Sequence, residues 1–269
     1  MDKYEVLIVE NLTKYYTSGY ILTKKILGAE NVSFNLRKRE VFSIVGESGS
    51  GKSTVAKIIL RLINPTSGKI YLDGKDVFSF DKKAYWRRVQ GVFQDPYSTF
   101  NHFYTVDKPL MDAFSLLEKT SSKNKKYSKT ERQEIIRSIL EKIGMNPDEI
   151  LGRYPHQISG GQMQRLLIAR SLIIAPDILL ADEPTSMTDA STRVAILREL
   201  LRLKEEGMAV LFITHDVGQA YHISDRAAVM KDGRIVEIGS SEDVFFHPQH
   251  PYTKNLVASV PKLHIKWNV

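Results

Sequence analysis

The sequence predicts an α/β fold in which a parallel sheet carries a phosphate-binding loop. Three observations point to it. Residues 46 to 53, Gly46-Glu47-Ser48-Gly49-Ser50-Gly51-Lys52-Ser53, have the form G-x-x-x-x-G-K-S. An apolar run, Val41 to Val45, precedes them, and a stretch with helix-compatible apolar spacing, Ser53 to Leu60, follows. Two further apolar runs, Ile178 to Ala181 and Ala209 to Ile213, end in the polar groups Asp182-Glu183 and Thr214-His215-Asp216, as buried parallel strands do at a functional edge.

The composition of the loop follows from what a phosphate needs. Gly46, Gly49 and Gly51 let successive N–H groups turn into one concavity that side chains would otherwise fill. The candidate nucleotide-binding set is Gly46, Ser48, Gly49, Ser50, Gly51, Lys52, Ser53 and Thr54. Lys52 is placed to reach the β- and γ-phosphates, and the Ser53 hydroxyl to ligate Mg²⁺. The helix that starts there adds a partial positive charge facing the anion.

The whole chain has 269 residues, 42% hydrophobic and 26% charged, which suits one domain with a subdomain. It has no cysteine, which excludes disulfides and thiolate metal sites and fits a reducing compartment. No apolar stretch reaches the length of a membrane span, and Met1 to Glu5 does not open a signal peptide. The net charge of +7 suits an anionic ligand, a membrane surface or a nucleic acid, without choosing among them.

From the start, Glu5 to Glu10 reads as a strand. Tyr16 after it is either a base-stacking aromatic or a core aromatic. Residues 17–29 read as a loop, and Asn31 to Leu36 alternates polar and apolar as a half-buried strand. Asn64 to Gly68 is a turn, and Lys69 to Gly74 a strand ending in one. Gln90 to Phe93 is a short strand stopped by Pro96, and the Gln94 amide at its end can reach a metal or water. The lysine-rich stretch 119–132, Lys123 included, reads as a solvated loop and not as a nucleic-acid surface, because Tyr127 alone interleaves it.

Ser128-Lys129-Thr130-Glu131 is a capping box. The helix after it should bury Ile135, Ile136, Ile139, Leu140 and Ile143 and stop at Gly144. Ser159-Gly160-Gly161-Gln162 opens a helix running to Ile174 and makes either a second anion site or an ordinary N-cap turn. Asp182 can hold a metal and Glu183 can orient or deprotonate water, as a phosphate loop's acidic partners do. His215 is either catalytic or structural. Met230 to Ile238 is a hairpin around Asp232-Gly233, and residues 240–269 read as a tail with Pro248, Pro251, Tyr252 and Pro261 as pivots.

Taken together, the phosphate loop, Gln94, Ile158-Ser159-Gly160-Gly161-Gln162, Asp182-Glu183 and His215 resemble the ATP-binding subunits of ABC transporters over nearly the whole chain. The Ser-Gly-Gly-Gln signature discriminates, because most phosphate-loop enzymes lack it. A narrower resemblance is to the oligopeptide/dipeptide importer branch. It rests on Gln94-Asp95-Pro96-Tyr97-Ser98-Thr99-Phe100-Asn101, on Tyr154-Pro155-His156, and on the tail His250-Pro251-Tyr252-Thr253-Lys254 with Val260-Pro261.

The resemblance implies a RecA-like ATPase core with an N-terminal antiparallel β subdomain and an inserted α-helical subdomain. It divides the chain into a core at 1–94 and 166–240, a helical signature subdomain at 95–165 and an importer-type extension at 241–269. It implies ATP and Mg²⁺ as cofactors, with Ser53, Gln94 and Asp182 around the metal. Glu183 becomes the base or water-positioner, His215 the γ-phosphate contact, Lys52 the phosphate clamp, and Tyr16 the adenine-stacking ring. Ser159, Gly160, Gly161 and Gln162 would serve the ATP held by a partner.

The implied partners are a second ATPase subunit of different sequence, two membrane permease subunits and an extracytoplasmic solute-binding protein, with no nucleic acid. The chain would sit at the cytoplasmic face of the membrane and power import of an oligopeptide, a dipeptide or an oligosaccharide. An exporter ATPase is the alternative, against which the tail argues; a non-transport ABC ATPase is a weaker one, since the chain has one cassette and no sustained heptads. The chain departs from the family at Ile158 for leucine and at Met187-Thr188 before Asp189, where communication between two ATP sites is implied. Without cysteine it cannot hold the iron–sulfur cluster that the branch often carries in its tail.

Overall fold

The computed structural model describes residues 4–18, 24–120, 125–186 and 188–260. Met187, Lys123 and Pro261, singled out above, lie outside them. The strands are β1 Glu5–Ser18, β2 Lys24–Arg37, β3 Val41–Val45, β4 Ser67–Leu72, β5 Lys75–Asp76, β6 Val89–Val92, β7 Ile178–Asp182, β8 Ala209–Thr214, β9 Arg226–Lys231 and β10 Arg234–Ser240. The helices are α1 Lys52–Ile59, α2 Lys82–Arg88, α3 Asp107–Thr120, α4 Lys129–Lys142, α5 Pro147–Ile150, α6 Gly160–Ile174, α7 Ala190–Glu205, α8 Val217–Ile223, α9 Ser241–Phe246 and α10 Pro251–Ala258. The chain divides into two compact units, Met1–Phe80 with Leu200–Val269, and Asp81–Glu199.

The first unit holds an antiparallel sheet of order β2-β1-β4-β5. Val32, Phe34 and Leu36 alternate inward along β2, and meet Leu7, Val9, Ile70 and Leu72 in the core. Each such side chain contributes about 1.5–3 kcal/mol of burial. β1 and β2 run well beyond the predicted strands, so the expected loop at 17–29 is wrong for Thr17–Ser18 and Lys24–Ala29, which are paired strand ends (Tyr16↔Ile26, Thr17↔Lys25). Pairing overrides the poor local signal of Lys24-Lys25 and Gly28 there.

The same unit carries β3 between two parallel neighbours, Val45↔Thr214 on β8 and Val45↔Val229 on β9. Every residue of β3 and β8 is buried, which accounts for their unbroken apolar sequences. β9 and β10 form the predicted hairpin, turned by Asp232 (φ 48) and Gly233 (φ 80) as a type I′ loop requires.

Among its described residues, the expected tail carries two helices, α9 and α10. Ser240 caps α9 through the Asp243 N–H, and His250 caps α10 ahead of Pro251. Both are side-chain caps with good sequence signals, Pro at the first helical position included.

The second unit pairs β6 and β7 in parallel, with Val92 opposite Ala181. Ser128 and Glu131 form the predicted capping box at α4, and Gly144 (φ 70) ends it. Ile136, Leu140 and Ile143 are buried there, whereas Ile135 and Ile139 are only half-buried, so the apolar face is narrower than expected. The lysine-rich stretch is not wholly a loop: Lys119–Thr120 close α3 and Lys129–Arg132 open α4. Between them Tyr127 packs edge-on against Phe114 (5.2 Å), and Arg132 pairs with Glu118 (2.7 Å). The Tyr127 N–H, then Arg132, hold the Glu118 carboxyl below its ordinary range. Among the described residues no helix is long and apolar enough to cross a membrane.

Candidate nucleotide site

In the first unit the phosphate loop joins β3 to α1. Gly51 is the N-cap of α1, left-handed at φ 102, and a Cβ on it would lie 2.3 Å from the Gly28 carbonyl oxygen. A Cβ on Gly46 would lie 2.2 Å from the Met230 carbonyl oxygen. Backbone fills the space on both sides, so neither position admits a side chain. The loop therefore owes Gly46 and Gly51 to its walls.

Lys52 opens α1 and is 4% exposed. Its ammonium donates to the Gly46 carbonyl (2.7 Å), the Glu47 carbonyl (2.8 Å) and the Ser50 hydroxyl (3.3 Å). The positive charge is folded into the concavity of its own loop, where a phosphate would meet it. Ser53 and Thr54 follow in the first turn of α1, with Ser48 and Gly49 exposed at the loop's rim.

Tyr16, on β1, shares a hydrogen bond between its hydroxyl and that of Thr54 (3.2 Å). Lys14 Nζ lies 5.5 Å from its ring centroid, and a Cβ on Gly28 would meet the ring at 2.5 Å. The ring is therefore fixed beside the start of α1, half-buried and not part of the core. Gly28 carried no sequence signal, because its constraint comes from a ring on another strand.

His215 follows β8 and is exposed. Since Val45 pairs with Thr214, Gly46 and His215 leave neighbouring strands at the same carboxyl edge, where ligands bind in open α/β sheets. Asp216 turns away to cap α8 through the Gln219 N–H (3.0 Å).

In the second unit the β6–β7 register likewise brings Gln94 and Asp182-Glu183 to one carboxyl edge. Gln94 is exposed, and the carbonyl of Phe93 before it accepts from Gln164 Nε2 on α6 (3.3 Å). Asp182 is 6% exposed. Glu183 has φ 49, a left-handed conformation that costs a non-glycine residue about 1–2 kcal/mol. The Ser186 N–H (3.2 Å) and hydroxyl (3.0 Å) both donate to its carbonyl and hold it in that conformation.

The Ser159-Gly160-Gly161-Gln162 turn stands elsewhere in this unit. Ser159 is the N-cap of α6. Its hydroxyl accepts the Gln162 N–H (3.2 Å), and Gln162 Oε1 accepts the Ser159 N–H (3.0 Å). Ser159 is exposed. Gly161 is buried against Thr192, whose methyl would lie 2.4 Å from a Cβ there. Thr192 in turn is tied to Asp189: its N–H (2.9 Å) and hydroxyl (3.0 Å) donate to that carboxylate, as does the Ser191 hydroxyl (2.6 Å). The Ser191 hydroxyl first, then Thr192, hold Asp189 well below the carboxylate range. The Asp-x-Ser-Thr pattern signals a cap in the sequence, but not the glycine that packs on it.

Ser53 in the first unit and Asp182 in the second each carry an oxygen of the kind a hard cation takes, and among the described residues no group of three or more His, Cys, Asp or Glu side chains could cage a metal alone. Mg²⁺ characteristically takes one or two protein oxygens and completes its shell with phosphates and water.

Residues 29–186 match the ABC transporter family model, and residues 236–269 match the oligopeptide/dipeptide transporter C-terminal region. The chain is 38% identical to the dipeptide transport ATP-binding protein of Haemophilus influenzae, over 94% of this chain and 77% of that one. It is 37% identical to the oligopeptide transport ATP-binding protein of Streptococcus mutans, over 97% and 83%. Among solved structures, a dimeric ATP-binding cassette in a post-hydrolysis state with ADP and Pi superposes with a TM-score of 0.76 at 31% identity, covering 87% of this chain and 98% of the other. The chain therefore belongs to the ABC transporter ATP-binding family and carries the C-terminal region of its oligopeptide/dipeptide branch.

Proposed function

We propose that this chain is the ATP-hydrolysing subunit of a peptide importer. The observation that carries the reading is the conjunction of the phosphate loop, built around a buried Lys52, with a C-terminal region of the oligopeptide/dipeptide type. The relatives named for dipeptide and oligopeptide transport favour a peptide over an oligosaccharide as the solute.

In this reading Lys52 exchanges its loop carbonyls for the β- and γ-phosphates, and the first-turn N–H groups of α1 bind the same anion. Tyr16 stacks on adenine. Ser53, Gln94 and Asp182 would hold Mg²⁺, which would supply neutralisation of charge on the phosphates. Glu183 accepts a proton from, or orients, the water that attacks the γ-phosphorus, as the bond to the β-phosphate oxygen breaks and ADP departs with phosphate. His215 contacts the γ-phosphate. Most of the catalysis is positioning and charge stabilisation. Ser159, Gly160, Gly161 and Gln162 act on the nucleotide of a second ATPase subunit, and that subunit's signature acts on this one.

Two permease subunits receive the motion through the segment after Gln94, within a helical subdomain at 95–165. Phe103 and Tyr104 there are 88% and 53% exposed, as apolar groups awaiting a partner are. The assembly places the chain at the cytoplasmic face of the membrane, with a solute-binding protein on the far side.

The test is ATPase activity of the purified chain alone, then co-expressed with a second ATPase and permeases, with peptides or oligosaccharides delivered by the binding protein. The expected result is low activity alone, a rise in the assembly, and a further rise with peptide only. Full, solute-independent activity of the isolated chain would contradict the heteromeric importer.

A further inference from the structure

The phosphate loop is braced from the far end of the chain. On β10, the Glu237 carboxylate accepts the N–H groups of Gln249 (2.7 Å) and His250 (3.1 Å). His250 Nδ1 accepts the Tyr252 N–H (3.1 Å). The start of α10 is thereby pinned to the hairpin. Tyr252, Leu256, Val257 and Val260 then pack on an apolar cluster that includes Val45, the residue before the loop.

From this seat the Tyr252 hydroxyl accepts the Glu47 N–H at 3.3 Å. Lys231 Nζ lies 4.8 Å from the Tyr252 ring centroid and holds its face. Glu47 is the second residue of the loop, and its carbonyl is one of the acceptors of the Lys52 ammonium (2.8 Å). One residue thus bonds the C-terminal helix through its N–H and the phosphate-binding lysine through its carbonyl. Burial, and the Glu47 carboxylate nearby, raise the Tyr252 phenol above its ordinary range against the opposing Glu47 N–H, so the brace brings no negative charge to an anion site.

We propose that Tyr252 is a positioning residue of the phosphate loop, through which the C-terminal extension sets nucleotide affinity. This rests on reading residues 46–53 as a nucleotide site. A loop held in its binding shape before the ligand arrives loses less conformational freedom on binding. The helix packing alone would give α10 a structural role; the hydroxyl on Glu47 is what separates the two.

The experiment uses the full chain with Tyr252→Phe, which keeps the ring, its packing and the Lys231 contact. MgATP is the probe, by titration and by steady-state turnover, with hydrogen exchange followed at the Glu47 amide. The expected result is a Kd and KM for MgATP raised about fivefold, the equivalent of one net hydrogen bond, with kcat within about twofold and faster exchange at Glu47. Tyr252→Ala should weaken MgATP further. Wild-type affinity and unchanged Glu47 exchange in Tyr252→Phe would overturn the inference, while loss of binding in Lys52→Ala would leave the nucleotide reading standing. A wild-type chain that binds no MgATP would overturn both.

Discussion

Two helix starts in this chain are suited to anions, and they are built in opposite ways. α1 is capped by a glycine, Gly51, which supplies no capping oxygen and is wedged against the Gly28 carbonyl. Its lysine is buried and its shape is dictated by β2, the β9–β10 turn and the C-terminal helix. α6 is capped by Ser159, whose hydroxyl and the Gln162 side chain satisfy each other's backbone N–H groups at an exposed surface. The first start is moulded from outside and has no side-chain cap of its own. The second completes its own cap and offers solvent a helix dipole. The difference suits a site that grips the chain's own nucleotide and another that meets a nucleotide brought by a partner, which are the roles proposed for them.

That division can be broken in several ways, and the largest effect concerns chemistry as distinct from grip. Glu183→Gln keeps the shape of the side chain and removes its basicity. Turnover should fall at least about 100-fold, while MgATP titration gives an affinity within about threefold of wild type. Near-normal phosphate release in that variant would remove Glu183 from its proposed role.

A smaller effect is expected at the signature helix. Gly161→Ala places a methyl 2.4 Å from the Thr192 methyl, an overpacking that costs about 1–3 kcal/mol. Urea unfolding should show that loss, and Thr192→Ser in the same chain should recover part of it, since serine keeps the hydroxyl that bonds Asp189. If Thr192→Ser recovers nothing, the glycine is there for another reason.

The smallest effect is electrostatic. Asp189 has its folded pKa lowered, so the unfolded chain binds the proton more readily. Its contribution to stability is present above the ordinary carboxylate value of about 4 and is lost as pH falls below it. Asp189→Asn should therefore flatten the decline of Tm between about pH 5 and pH 3. An unchanged slope would show that the carboxylate's ordered partners do not matter to stability.

The sequence made much of this legible, and the limits have physical causes. The phosphate loop, the Asp182-Glu183 edge, the Ser128 capping box and the Asp232-Gly233 hairpin are local patterns, and each was found where it was expected. The strand ends at Thr17–Ser18 and Lys24–Ala29 were missed because their partners are each other, and Gly28 disguises the strand while answering to the Tyr16 ring. The helices α9 and α10 did announce themselves, through Ser240 and through His250-Pro251, but the prolines around them read as a tail. Nothing local could reveal Tyr252 against Glu47 or Thr192 against Gly161, since contact across such separations is made by packing.

In the proposed function the α1 start binds this chain's nucleotide and the α6 start acts on another's. Gly160→Asp tests it most directly. A carboxylate in the first turn of α6 favours the helix yet repels an approaching phosphate. MgATP affinity of the purified chain should stay within about twofold of wild type, while turnover in the assembled complex falls at least about tenfold. A matching loss of affinity in the isolated chain, or turnover left unchanged in the complex, would contradict the account.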